Sequence, residues 1–333
     1  MSRSTKPPLI VPDSQPGLPE PQPGLRYSKG LMASRVLVTG LSGARAYDVA
    51  ERIEDALLSS GVATVTNAEL NELAVRELTE MAGERYAKNY RRWLEVERLD
   101  TPLVILIGGA TGVGKSTIAT QLAARLGIVR VVATDAIREV MRSMLSSELM
   151  PTLYTSSFDA GTALREPTLR GSARVIAGFR EQTEAVVVGL AALLERAAFE
   201  GTKVIIEGAH VVPGYFDLER WGSRFLAVPM VITVDDEDAH RSHFAARSAD
   251  LPTRPVDRYR KGFDNIRRLQ KFIRSQALAH GVPIIPNYDL DQAMAAVIDL
   301  VVERATDFTE ERPAAQVVGI RETSGMTSGG GRT

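Results

Sequence analysis

The chain has 333 residues, 44% of them hydrophobic and 24% charged, enough to bury one sizeable core and a smaller satellite unit. Its 40 basic residues against 41 acidic ones leave no global field to draw it to nucleic acid or an anionic membrane, so any anion site must be local. Cysteine is absent, which excludes disulfides, thiolate nucleophiles and cysteine-ligated metal centres.

Seven prolines fall between Pro7 and Pro23, a density that interrupts helices and sheet ladders alike, so residues 1–25 read as a flexible tail. The opening residues hold no apolar core of signal-peptide length, and the longest apolar stretch, Ala185 to Leu194, is bracketed by Glu184 and Glu195. A cytoplasmic protein with no membrane segment is the expectation. Over residues 26–98 the apolar positions recur at helical spacing, as in Val49, Ile53, Leu57 and Leu58, then Leu70, Leu73, Val75 and Leu78. This predicts a small helical domain, with Gly61 ending one helix and Asn67 capping the next. Within it, the string Val36 to Gly43 has the look of a dinucleotide-binding strand and glycine turn. No acidic residue closes the following run VATVTN, however, and Ala46 replaces the third glycine. The better reading is a helix ending near Gly40 and another starting near Ser42.

Over residues 99–308 short β-rich runs alternate with helical patterns: 103–108, 129–135, 203–208, 228–235 and 282–287. Near-continuous apolar strands separated by helices predict an α/β domain with a doubly wound parallel sheet of about five strands and a ligand at the strands' carboxyl ends. Residues 309–333, closing with SGMTSGGGRT, read as a second tail.

Directly after the run 103–108, Gly109-Ala110-Thr111-Gly112-Val113-Gly114-Lys115-Ser116 fits G-x-x-x-x-G-K-[ST], and a helix pattern from Thr117 follows. Such a P-loop aims backbone N–H groups at nucleotide phosphates, adds the positive end of a helix, neutralises phosphate charge with Lys115 and offers the Ser116 hydroxyl to Mg²⁺. Residues 109–117 are therefore the candidate ATP contacts. The loop alone does not separate kinases from ATPases, GTPases or transporters.

The other strand ends narrow the choice. Asp135 closes the second strand and Arg138 follows one helical turn later, a carboxylate to orient an acceptor hydroxyl beside a guanidinium to hold an anionic group. A plain helix cap with a surface ion pair is the structural alternative. Glu207 ends the third strand, where P-loop proteins keep a carboxylate for Mg²⁺, and is a candidate metal or substrate contact with a turn cap as the structural alternative; His210 beyond it is either a substrate contact or a hydrogen-bonded loop histidine. Between Arg241 and Arg274 lie ten Lys or Arg residues against three acids, Asp250, Asp257 and Asp264. Helices from Glu237 to Ser248 and from Val256, joined by a Pro-containing loop, would make a movable flap, with Arg247 and Arg254 the candidates for phosphate contact.

Five strings in this order, GGATGVGKST, ATDAIREVMR, LMPTLYTSSF, VIIEGAHVVPG and FDNIRRLQKFI, resemble the 2-phosphoglycerate kinase family. The likeness runs from about Arg26 to Asp307. It implies ATP and Mg²⁺ as cofactors and 2-phosphoglycerate as the small anionic acceptor, with Asp135 and Arg138 facing the 3-hydroxyl and acid groups and Glu207 the metal. It also implies an ATP-cone-like unit in the segment from Arg26 to about Leu57, whose basic pair is matched in part by Arg26 and Lys29. Read from residues alone, a P-loop kinase of a sugar nucleotide or antibiotic stays open, as does a nucleotide-gated regulator. The neutral charge and the lack of aromatic–basic interleaving speak against a nucleic-acid partner. Nothing in the residues specifies an oligomeric state.

Overall fold

The computed structural model, which describes residues 7–11, 24–97, 101–165, 168–250 and 256–310, places a strand where proline density argues for a tail. Strand β1 (Leu9–Val11) pairs antiparallel with β2 (Leu25–Arg26), and it pairs in parallel with β3 (Thr64–Thr66), occupying the middle of a three-stranded sheet. The three apolar residues can pair directly after Pro8 because a proline ahead of a strand withholds a donor only at its end. Residues 12–23 and 311–333 lie outside the described residues.

Helix α1 (Lys29–Val36) is capped by Ser28 and runs into a 3₁₀ turn that stops at Gly40; α2 (Gly43–Ser60) then starts from the Ser42 cap. The glycine string is thus a helix junction, as expected, and Gly61 ends α2. The cap of α3 (Asn67–Ala82) is Thr66, not Asn67: the Thr66 hydroxyl accepts from the Glu69 N–H while the Glu69 carboxylate accepts from the Thr66 N–H. That reciprocal box satisfies two helix-end donors at once, which an Asn67 cap could not. Helix α4 (Glu84–Glu97) buries Tyr90, Trp93 and Val96.

The second sheet contains β4 (Leu103–Gly108), β5 (Val131–Ala133), β6 (Val204–Glu207), β7 (Leu226–Thr233) and β8 (Ile284–Pro286), all parallel, in the order β5-β6-β4-β7-β8. A parallel sheet of five strands is the architecture expected, though β5 is shorter than predicted; the order puts β4 at the centre. The intervening helices are α5 (Lys115–Leu126), α6 (Thr134–Met144), α7 (Gly171–Glu200), α8 (Glu237–Asp250), α9 (Val256–Ala279) and α10 (Leu290–Glu310).

Every residue of β4 is buried, so its alternate side chains feed two different cores. Leu103, Ile105 and Ile107 join Ile118 and Leu122 of α5 and Val297 and Val301 of α10. Val104 and Leu106 face Ile137 of α6 and Val186, Leu190 and Leu194 of α7. Each such side chain contributes roughly 1.5–3 kcal/mol of burial, which holds β4 and the loop at its end in a fixed place. The first core also contains Ile53, Leu78, Tyr90 and Trp93 of the N-terminal helices, which dock by α4 on α10 and α1 on α5. Among the described residues, no helix is long and apolar enough to cross a membrane.

Candidate active site

The loop between β4 and α5 has its carbonyl edge occupied one residue after another. Ala110 O accepts from Lys115 Nζ (2.7 Å), Thr111 O from His240 Nε2 (2.9 Å), Gly112 O from His243 Nδ1 (3.1 Å) and Val113 O from Asn287 Nδ2 (2.9 Å). A planar trans peptide carries its N–H opposite its C=O, so holding these oxygens outward sends the N–H groups of residues 111–114 to the other side. Backbone donors presented in sequence at the start of a helix are what an anion-binding site is built from.

At the start of α5, Ser116 and Thr117 are exposed, and Ser116 Oγ donates to Glu207 Oε1 at 2.8 Å. Glu207 is buried at the carboxyl end of β6, the strand next to β4, so adjacency in the sheet places its carboxylate beside the loop helix. Its register partner on the other side is Ala133 of β5. The chain therefore leaves β5 for α6 immediately beside Glu207, and Gly208 packs so closely on Thr134 that an added Cβ would stand 1.8 Å from Thr134 Oγ1.

Asp135 does not end a strand, contrary to the sequence reading. β5 stops at Ala133, and Asp135 is the second residue of α6, its side chain 75% exposed. Arg138, one turn on, is the more enclosed partner, with its side chain 14% exposed and Nε 3.9 Å from Asp135 Oδ1. It donates through Nη1 to Thr155 O and through Nη2 to Glu139 Oε1 at 3.0 Å. Helix capping falls to neither residue, since the N-cap of α6 is Ala133.

His210 is fully buried and both ring nitrogens have partners: Thr134 Oγ1 lies 3.0 Å from Nδ1 and Gln182 Oε1 2.9 Å from Nε2. Gln182 Nε2 donates to Thr152 O and Thr155 O, so its Oε1 must accept and His210 Nε2 carries the proton. Burial pushes its pKa down to about 4; Asp135 opposes that shift, while Arg138 and Lys115 reinforce it. A chain of bonds thus runs from Thr134 through His210 and Gln182 to Thr155 O, where Arg138 also ends.

The basic segment is largely structural where it is described. Arg267 turns inward to Val234 O (2.6 Å) and Asp235 O (2.5 Å), Arg258 pairs with Asp159 at 3.4 Å, and Arg241 lies 3.7 Å from the Phe263 ring centroid. The two expected helices are present as α8 and α9. Arg247 is on α8, and Arg254 lies outside the described residues, as does the 251–255 connection. His240, His243, Asn287 and Gln182 were not singled out by sequence reasoning. Asn287 directly follows the last strand, a position the strand-end rule flags; the two histidines stand one helical turn apart at the start of the helix after β7, which is a fainter signal. Among the described residues, no group of three or more His, Cys, Asp or Glu could hold a metal ion.

Residues 104–266 match the family described as AAA domain. The 2-phosphoglycerate kinase of Methanopyrus kandleri is 39% identical over 277 residues, covering 83% of this chain and 83% of that protein. The 2-phosphoglycerate kinase of Methanothermobacter thermautotrophicus is 39% identical over 85% of this chain and 91% of its own length. The one from Thermococcus kodakarensis is 38% identical over 87% of this chain and 96% of its own.

Proposed function

The chain belongs to the 2-phosphoglycerate kinase family, and on that premise we propose that it transfers the terminal phosphoryl group of ATP to the free hydroxyl of 2-phosphoglycerate, giving 2,3-bisphosphoglycerate and ADP. The observation that carries the proposal is the 2.8 Å bond from Ser116 to Glu207, which joins the phosphate-binding loop to the strand end beside which α6 begins. Nucleotide phosphates and acceptor would then meet at one edge of the sheet.

In this reading the N–H groups of residues 111–114 and the Lys115 ammonium hold the β- and γ-phosphates. Lys115 leaves Ala110 O to do so. Asp135 orients the acceptor hydroxyl and accepts its proton as the new P–O bond forms and the bond to ADP breaks. Arg138 holds an acid group of the acceptor, its guanidinium steadied by Thr155 O, with Arg247 and Arg254 proposed as further phosphate contacts. An exposed hydroxyl next to a carboxylate is a hard-oxygen donor pair that fits Mg²⁺, and so few protein ligands suit an ion that keeps several waters and phosphate oxygens. When bound, Mg²⁺ supplies charge neutralisation to the phosphate oxygens, and Ser116 and Glu207 would hold it. We also propose that residues 26–98 are an ATP-cone-like unit and 99–308 the catalytic one, and that the enzyme works in the cytoplasm.

The test is ADP release with ATP and Mg²⁺, with and without 2-phosphoglycerate, repeated with 3-phosphoglycerate and glycerate. Turnover dependent on 2-phosphoglycerate is expected, and Lys115→Ala should lower it by roughly a thousandfold or more, because catalysis here is positioning and charge stabilisation. Equal stimulation by glycerate or 3-phosphoglycerate would refute the acceptor assignment.

A further inference from the structure

Two of the side chains gripping the loop come from one turn of α8, and their protonation states can be read from their partners. His240 is completely buried. A carbonyl oxygen only accepts, so the Nε2 that lies 2.9 Å from Thr111 O must carry a proton. A guanidinium only donates, so Nδ1, 3.4 Å from Arg267 Nη1, must present its lone pair. Arg267 therefore selects the one neutral tautomer that can hold the loop. It is itself fixed by Val234 O and Asp235 O at the end of β7, with Glu237 3.6 Å away.

The ring has a second attachment. Phe244, one turn along α8, stacks on His240 with centroids 5.4 Å apart and planes at 23°. Phe244 also stacks on Tyr259, with centroids 5.2 Å apart, and it packs on the loop itself: at Gly112, where φ is 88°, an added Cβ would lie 2.3 Å from the Phe244 ring. His243 completes the contact by donating to Gly112 O. One face of α8 thus fits the tip of the loop by shape and by hydrogen bonds, and the Thr111–Gly112 peptide cannot turn over without breaking the His240 bond.

We propose that His240, locked in its tautomer by Arg267, is a positioning residue that aims the Gly112 N–H at the nucleotide phosphates. It acts through the loop backbone and touches neither substrate. This rests on the kinase reading above, because it assigns the loop's amides to ATP. A histidine suits the place for a stated reason: it is flat enough to stack on Phe244 and also carries a donor at the distance of Thr111 O.

Two variants separate the hydrogen bond from the packing. His240→Phe keeps a flat ring against Phe244 and loses the donor; His240→Gln keeps an N–H donor and loses the ring. Binding of a fluorescent ATP analogue, KM for ATP, KM for 2-phosphoglycerate, and the melting temperature are measured for both. His240→Phe should weaken ATP binding and raise its KM roughly tenfold, since it leaves the part-buried Thr111 carbonyl without its donor, with the acceptor KM unchanged. His240→Gln should recover most of that loss even if its melting temperature is the lower of the two. Should His240→Phe fail to fold, Arg267→Met, which frees the tautomer, should weaken ATP binding in the same direction. Wild-type ATP affinity in folded His240→Phe or Arg267→Met would overturn the proposal, as would losses that follow melting temperature instead of the donor. The analogue-binding arm keeps the two readings apart: wild-type protein that binds ATP without acceptor-dependent turnover sinks the transfer to 2-phosphoglycerate and leaves the ATP site, the part of that reading on which this proposal rests, standing.

Discussion

Gly208→Ala is a small change whose consequences follow from distances. The new Cβ would stand 1.8 Å from Thr134 Oγ1 and 2.8 Å from Thr134 Cβ. An ordinary C···O approach is about 3.3 Å, so something must yield by about 1.5 Å. Neither neighbour yields readily: Thr134 is completely buried, and the Gly208 N–H is bonded to Ile107 O, which ties this turn to the central strand. If Thr134 rotates away, His210 loses its Nδ1 partner inside the protein, at a cost of roughly 1–3 kcal/mol; if the backbones separate instead, overpacking of similar size results. Urea unfolding should show a loss of about 3 kcal/mol. The folded fraction should bind ATP nearly normally and use 2-phosphoglycerate poorly, because Asp135 follows Thr134 in the chain. Adding Thr134→Ala removes the clashing hydroxyl, so the pair should cost less than the sum of its members. A Gly208→Ala protein as stable as its parent, or strict additivity in the double variant, would refute the close-packing argument.

Two other expectations concern charge. Burial holds both His210 and His240 down to about 4, below the 6.5 of an unfolded chain, so as pH falls the unfolded state takes up protons first. Stability present above pH 6.5 should decline toward pH 4, by on the order of 2 kcal/mol at pH 5 for His210 alone; a urea midpoint unchanged between pH 7 and 5 would show that these rings are not held neutral. Glu207→Gln keeps an acceptor for Ser116 in the same volume, so its melting temperature should stay close to that of the parent. Its turnover should fall roughly a hundredfold or more, with a higher Mg²⁺ requirement, in a magnesium titration of ADP release.

What the chain reveals before folding depends on how far apart the cooperating residues are. The phosphate loop is eight contiguous residues between a strand and a helix, and Glu207 follows from the strand-end rule, so both could be found by reading along the chain. His240, His243 and Asn287 act on carbonyls 129, 131 and 174 residues away, and no local pattern encodes that pairing. Asp135 was misplaced by a strand end that comes two residues early, a shift within the usual imprecision of boundaries. The Thr66 cap is legible in the T-x-x-E spacing of Thr66 and Glu69, a signal stronger than the neighbouring asparagine. β1 could not be anticipated from composition, because its partners β2 and β3 are what make three apolar residues between prolines into a strand.

The apolar core shared by the N-terminal helices and the central sheet makes the two halves answer to each other. Tyr90 and Trp93 pack in the same cluster as Ile105 and Val297, so melting one half strips cover from the other. A nucleotide gripped at the β4 loop would then raise the temperature at which α1 to α4 come apart, although it touches none of them. Heat resistance acquired far from the ligand would be a readout of occupancy.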